Sequence, residues 1–312
     1  MAVKLVVEPI FEADFEPDSY GFRPKRNAHQ ALAEVRQCIA EGMGWVIDAD
    51  VTAYFDTIPH DKLMKVVADR IVDSSMLALI KMFLVAPVID VREGGGLHRP
   101  KAGTPQGGVI SPLLANIYLH LLDRSYRRRV ERGETEGRLI RYCDDFVLLT
   151  PQRPEWELQW LQALMARLGL TLHPEKTRVV NARKERFDFL GYRVGWRRKE
   201  LLLDLSPKTL ARIHDRLREP TKWTFLSIDE LVAKLNRYIG GARAYFGLAP
   251  WWSLRVLDGY VAQRVARWWR RKLGLKYPAW SRVPAGQLQT KHGLLSWAQL
   301  PPWDQRATCA RR

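Results

Sequence analysis

The stretch Arg141 to Thr150, RYCDDFVLLT, sets two adjacent carboxylates between two apolar, β-prone runs. Leu139-Ile140 precede them and Phe146-Val147-Leu148-Leu149 follow, so two short strands are predicted, joined near Cys143-Asp144-Asp145. Any fold for this chain must therefore carry a hairpin with acids at its tip. Aspartate is common in turns because its side chain bonds its own backbone, so the pair alone does not separate turn punctuation from chemistry. Trp45 to Asp56, WVIDADVTAYFD, predicts a strand that ends at a third acid, Asp50, followed by adjacent aromatics. A strand edge with solvated acids is the ordinary alternative. In an antiparallel sheet the hairpin can meet this strand. Three convergent carboxylates without histidine or cysteine then suit a hard, oxygen-loving Mg²⁺.

Around these segments the periodicities predict an α+β unit, an antiparallel sheet with helices packed behind it. Helices are expected over Asn27 to Glu41, Asp61 to Val72, Ser75 to Phe83, Ser111 to Arg132 and Glu155 to Leu168, with Pro112 well placed in a first turn. Lys176 to Asn181 and Phe187 to Val194 are predicted strands, and a glycine-rich connection runs through Gly94-Gly95-Gly96. Beyond Leu205 the strand signals vanish. Ser227-Ile228-Asp229-Glu230 fits a capping box, and Leu254, Leu257, Val261, Val265 and Trp268 form an apolar stripe at helical spacing.

Charge divides the chain in the same way. Residues 1–205 hold 30 Lys/Arg against 28 Asp/Glu, whereas residues 206–312 hold 20 against 6, so nearly all of the net charge of +16 is C-terminal. Eight of the 12 tryptophans lie in that basic part, which points to a polyanionic partner. Three widely spaced cysteines, Cys38, Cys143 and Cys309, argue for a reducing compartment, and no zinc-type spacing of cysteine and histidine occurs. Glu8 comes too early for the apolar region of a signal peptide, and the longest uncharged run, Ala102 to Leu122, is broken by proline and glycine. A cytoplasmic, ribonucleoprotein-associated chain with no membrane partner is expected.

Between the acid segments lies GTPQGGVISPLLANIYLH, Gly103 to His120, a glycine-rich turn entering a helix. Its glycines could let a nucleotide or template strand approach the backbone. With SYGFRPKRNAHQAL (Ser19 to Leu32), DADVTAYFDTIPHDKL (Asp48 to Leu63), RYCDDFVLL, GLTLHPEKT (Gly169 to Thr177) and FDFLGYRV (Phe187 to Val194), the order and spacing resemble the reverse transcriptases of group II introns, the intron maturases. The match covers about residues 7–200.

The resemblance implies a right-hand polymerase with a finger remnant at 1–43, a palm at 44–205, a helical thumb or maturase domain X at 206–275 and a tail at 276–312. It implies an RNA-directed DNA polymerase in which Asp50 and Asp144, with Asp145 as a lesser ligand, hold two Mg²⁺ about 4 Å apart. Lys176 would be the general acid toward pyrophosphate. Phe55 would be the gate against a ribose 2′-hydroxyl, with Tyr54 beside it able to be the buried aromatic instead. Gln106 and Gly107 would contact nucleotide and template, Arg23 would lie near the nucleotide path, and Leu190-Gly191-Tyr192 would grip the primer. LNRYIGGARAYFG (Leu235 to Gly247) and LDGYVAQRVARWWRRK (Leu257 to Lys272) match the thumb less specifically; Arg255, Arg264, Arg267 and Arg271 would contact RNA phosphates there. The implied partners are an RNA template and intron RNA, a DNA primer or target, and dNTPs. Relatives carry further finger segments upstream of the matched blocks, so weak dNTP binding, or a non-catalytic RNA-binding maturase completed by another fingers segment, is the alternative. No HNH-type region is seen, so second-strand cleavage is not expected.

Overall fold

The computed structural model describes residues 1–89, 97–105, 107–274 and 285–298. The glycine-rich connection at Gly94-Gly95-Gly96 lies outside them, as does most of the tail. The chain forms two compact units, Met1–Leu190 and Gly191–Arg312.

The first unit is built on a four-stranded antiparallel sheet in the order β4-β5-β1-β6: β1 (Trp45–Ala49), β4 (Arg138–Tyr142), β5 (Asp145–Thr150) and β6 (Arg178–Asn181). A two-stranded ribbon, β2 (Val88–Ile89) with β3 (Leu97–His98), stands apart from it, and β7 (Phe187–Phe189) closes the unit. Strand alternation sorts the side chains of the main sheet. Ile47, Ala49, Phe146 and Leu148 enter one core with Leu113, Leu114, Ile117, Tyr118 and Leu122 of α6 (Ser111–Glu131) and with Leu161 and Met165 of α7 (Pro154–Leu168). The other face begins with the buried Val46, Val147 and Leu149 and ends in Asp48, Asp50 and Asp145. One face is thus apolar for folding and the other turns acidic at the strand ends.

Short helices complete the unit. A helix not anticipated from the sequence, α1 (Ala2–Glu12), carries Pro9 and buries Val7 and Phe11. In α2 (Ala28–Ala40), Asn27 and Gln30 form a reciprocal capping box, with bonds of 2.9 and 3.0 Å, and the helix packs on β4 and β5. The one-turn α3 (Tyr54–Thr57) follows β1 directly, and α4 (His60–Ala68) and α5 (Ser74–Leu84) lead onward, α5 capped by Asp73.

The second unit opens on a hairpin, β8 (Tyr192–Arg197) with β9 (Glu200–Leu205), paired from Tyr192↔Leu205 to Arg197↔Glu200. The expected single strand over Phe187 to Val194 is broken, because Leu190 (φ 49) and Gly191 (φ 79) are both left-handed. The two compact units divide at this break, between Leu190 and Gly191. Helices follow: α8 (Pro207–Arg218), capped by Ser206, α9 (Ile228–Phe246), α10 (Trp251–Lys272) and α11 (Ala285–His292). The Ser227/Glu230 capping box opens α9 as its sequence predicts, and the stripe Leu254, Leu257, Val261, Val265, Trp268 is buried. Beyond α11, Asp258 accepts from Ser296 Oγ at 2.7 Å and from the backbone of Trp297 at 2.7 Å, which seats Trp297 in the helical core.

Candidate active site

The sheet register decides which acids meet. In the β1–β5 pair Asp48 faces Val147 and Ala49 faces Phe146, so the next step along both strands sets Asp50 across from Asp145. On the other side of β1, Asp48 faces Arg178, and Lys176 lies in the turn just before β6. Two ion pairs form: Arg178 Nε lies 3.1 Å from Asp48 Oδ2 across the strands, and Lys176 Nζ reaches from the turn to 2.9 Å from Asp50 Oδ2. The flanking segment is tied down by its backbone, with Thr52 donating to Thr171 O at 2.9 Å and His173 donating to Asp50 O at 2.7 Å.

The hairpin tip is a two-residue connection, since Tyr142 pairs with Asp145. Its first residue, Cys143, is left-handed (φ 61), the place where such turns favour glycine. The tip is held from inside by Arg141, which is wholly buried. The Arg141 guanidinium donates to Asp123 at 2.8 and 3.1 Å, to Asn116 Oδ1 at 2.9 Å and to the Cys143 carbonyl at 2.8 Å. From outside, Gly21 lies so close that a Cβ on it would stand 2.3 Å from the Cys143 nitrogen. Only a residue without a side chain fits there, which explains the glycine of SYGFRP.

Negative charge is crowded at this end of the sheet. Burial pushes the Asp145 carboxyl up to about 7, with Asp48, Asp144 and Asp50 adding to the rise and a hydrogen bond from the Leu190 backbone opposing it. Burial also raises Asp48, against the pull of Arg178. Lys176 and Arg178 therefore leave part of the acid charge uncompensated. Among the described residues no three His, Cys, Asp or Glu side chains close around a common point. The donor set is nonetheless all carboxylate and short of positive charge, which fits a hard divalent cation.

Around the acids, Tyr54 is buried and donates to Ala115 O at 2.6 Å, leaving Phe55 as the partly exposed aromatic of the pair. The glycine-rich turn is stapled beneath it: Thr104 N donates to Phe55 O at 2.6 Å and Gly103 N to Ile58 O at 2.8 Å. Gly107 is left-handed (φ 83), with open space beside it. Gln106 lies outside the described residues. Arg23 is spent on its own segment, donating to Glu12 at 2.7 to 3.1 Å, to Glu16 O at 2.6 Å and to Ser19 O at 2.7 Å. Leu190 and Gly191 form the left-handed turn described above, and in the second unit Tyr192 is buried and donates to Tyr245 O at 2.6 Å.

Of the five arginines of α10, four are those expected to meet RNA phosphates: Arg255, Arg264, Arg267 and Arg271. Arg255, Arg267 and Arg271 are exposed, and Arg264 is half-buried. Arg264 donates to Thr221 Oγ1 at 2.8 and 3.1 Å and Arg271 to Thr221 O, while Lys272 reaches Leu226 O at 2.5 Å and Trp268 Nε1 donates to Trp223 O at 2.9 Å. These groups bind the loop 221–226 to the helix. Sequence patterns did not single out Asp48, Arg141, Asn116, Asp123 or Gly21. Asp48 was legible as the residue two before Asp50 on the same strand face; the others are set by tertiary contacts.

Residues 1–194 match the family model for reverse transcriptase (RNA-dependent DNA polymerase). This chain belongs to the reverse transcriptase family. The reverse transcriptase is of the group II intron class, since residues 210–283 match the group II intron maturase-specific domain. It is 34% identical to Protein YkfC of Escherichia coli over 229 residues, 62% of this chain and 59% of that protein. It is 27% identical to the group II intron-encoded protein LtrA of Lactococcus lactis subsp. cremoris over 340 aligned residues, 80% of this chain and 56% of that protein. The chain thus spans less than two thirds of the length of both relatives. Telomerase from Candida albicans, solved with a TWJ fragment of telomeric RNA, shares the fold at a TM-score of 0.51 and 14% identity, over 92% of this chain and 54% of that one. Among the described residues no helix is long and apolar enough to cross a membrane.

Proposed function

We propose that this reverse transcriptase extends a DNA primer on an RNA template by nucleotidyl transfer and that it binds intron RNA to assist splicing. The observation that carries the proposal is the register setting Asp50 across from Asp145, with Asp144 at the adjoining tip. Asp50 and Asp144, with Asp145 beside them, would hold two Mg²⁺, which would supply positive charge for activating a primer 3′-hydroxyl and steadying departing pyrophosphate. The remaining work falls to the chain's own groups. Phe55 closes the space beside a ribose 2′-hydroxyl and so selects dNTPs. Lys176, released from Asp50, gives a proton from Nζ to the pyrophosphate oxygen. Gln106 and Gly107 are assigned contacts with nucleotide and template, and Leu190-Gly191-Tyr192 the grip on the primer. On this reading 1–43 is a finger remnant, 44–205 the palm, 206–275 the thumb and 276–312 the tail.

A non-catalytic RNA-binding maturase is the second reading, and the engagement of Arg23 by Glu12 favours it, because that cation is not turned to a triphosphate. Primer extension on an annealed RNA template with Mg²⁺ and dNTPs separates the two. Extension by wild type and none by Asp144→Ala is the expected result. RNA bound tightly at low salt by a wild type that does not extend would leave the maturase reading alone.

A further inference from the structure

We infer that the buried cluster Arg141, Asp123 and Asn116 is a positioning device for the acid hairpin, holding Cys143 in its left-handed conformation so that Asp144 and Asp145 face β1. The inference rests on the polymerase reading for its function, and on three geometric observations for its substance. First, Arg141 is an interior cation paired at all three nitrogens: Asp123 takes its Nε and Nη2, and Asn116 and the Cys143 carbonyl take its Nη1. A buried ion pair is a poor source of net stability compared with apolar packing of the same volume, so its presence here points to geometry. Secondly, the group it grips is the carbonyl of the residue directly before Asp144, in a backbone region that a non-glycine residue leaves readily when nothing holds it. Thirdly, the clamp has two jaws. Asn116 passes its Nδ2 to Gly21 O at 2.7 Å, and the Gly21 backbone lies against Cys143 from the other side. Tyr20 N donates to Arg141 O at 2.8 Å and Arg141 N to Asp18 O at 3.0 Å, which fixes the same strand next to the tip.

These residues touch neither substrate nor metal. They act through the Cys143 carbonyl, as outer partners that orient ligands.

The test uses the full chain and three variants. Arg141→Lys keeps the charge but loses the fork, Asn116→Ala keeps the Arg141–Asp123 pair but opens the link to Gly21, and Ile80→Ala in α5 provides comparable core destabilisation away from the tip. Mn²⁺ binding is followed by electron paramagnetic resonance, amide exchange of Cys143 to Asp145 by mass spectrometry, and extension by separate kcat and KM. The Arg141→Lys variant should need about 10- to 100-fold more Mn²⁺ for half-saturation and lose kcat in proportion, with KM for annealed template–primer unchanged. Amide exchange at the tip should rise in both cluster variants and not in Ile80→Ala. Should Arg141→Lys fail to fold, Asn116→Ala decides, with the same signs. Mn²⁺ affinity and tip exchange equal to those of Ile80→Ala overturn the inference. A wild type that binds Mn²⁺ through Asp144 but does not extend removes the polymerase reading and leaves the positioning intact. A wild type that extends, with cluster variants that match it, does the reverse, and no Mn²⁺ binding by wild type overturns both.

Discussion

Lys176 and Asp50 hold each other at 2.9 Å although 61% and 44% of their side chains face solvent. An exposed pair of this kind is weak, so Asp50 is kept from a metal only lightly. Replacing the lysine should therefore help metal binding and harm the reaction. We expect Lys176→Met to bind Mn²⁺ about two- to fivefold more tightly than wild type while extending primers more slowly. Titration calorimetry and extension rates on the same preparation check both halves, and weaker Mn²⁺ binding in the variant would remove Lys176 from the site. Gly21 is a second single-residue case. A methyl group there meets backbone at 2.3 and 2.8 Å, and backbone cannot swing aside as a long side chain can. Gly21→Ala should cost about 1–3 kcal/mol by urea unfolding. Gly241→Ala, in α9 with open space around it, should be neutral or gain up to about 1 kcal/mol. Equal effects at the two glycines would contradict the close approach of Gly21 to the hairpin.

At the level of elements, α6 carries a pH response of its own. Burial holds the His120 ring below its ordinary pKa of 6.5, with Arg141 and Arg124 lowering it further and Asp123 and Asp14 opposing them. Phe15 stands edge-on to it at 5.6 Å, and its Nδ1 is buried without a hydrogen-bond partner. Above the unfolded value both states are neutral and His120 adds no pH dependence to stability. Below it the unfolded chain takes the proton first, so stability falls as pH drops toward the depressed folded value. His120→Leu should therefore lose less stability between pH 7.5 and 5.5 than wild type does, measured by urea unfolding at both. Parallel losses would assign the acid limb to other groups.

The elements also show what the sequence could reveal. Alternating strands and the cap of α9 were legible because their signals are local: Ser227 with Glu230, and the apolar runs around the acids. The break at Leu190-Gly191 was not, because Leu190 in a left-handed conformation contradicts its own propensity and is imposed by the surrounding fold. In β9, Glu200–Leu205, the run LLLDL has no clean alternation, and α1 hides behind its internal Pro9. At the site, the three acids could be read from type and spacing. The cluster that holds them could not, since Arg141 and Asp123 are 18 positions apart and meet only because β4 packs on α6.

For the molecule as a whole, the unequal charge of its two parts sets how it should meet RNA. The first 205 residues are nearly balanced, while the remainder carries 20 Lys/Arg against 6 Asp/Glu. Phosphate contacts release counterions, so affinity for an RNA duplex of arbitrary sequence should fall linearly as salt rises on logarithmic axes. Not every cation of the basic part can contribute equally. Arg255 is exposed on α10, whereas Arg264 is committed to Thr221 at 2.8 Å. Arg255→Gln should leave the melting temperature unchanged and lower the salt slope by about one, because one phosphate contact is lost. Arg264→Gln should instead lower stability by about 1 kcal/mol, as loop 221–226 loses a tie to the helix, with a smaller change in salt slope. Filter binding across a salt series and thermal melts of both variants test the pair. The opposite assignment, a changed slope at Arg264 and a changed melt at Arg255, would mean that the loop opens when RNA binds and that Arg264 exchanges Thr221 for phosphate.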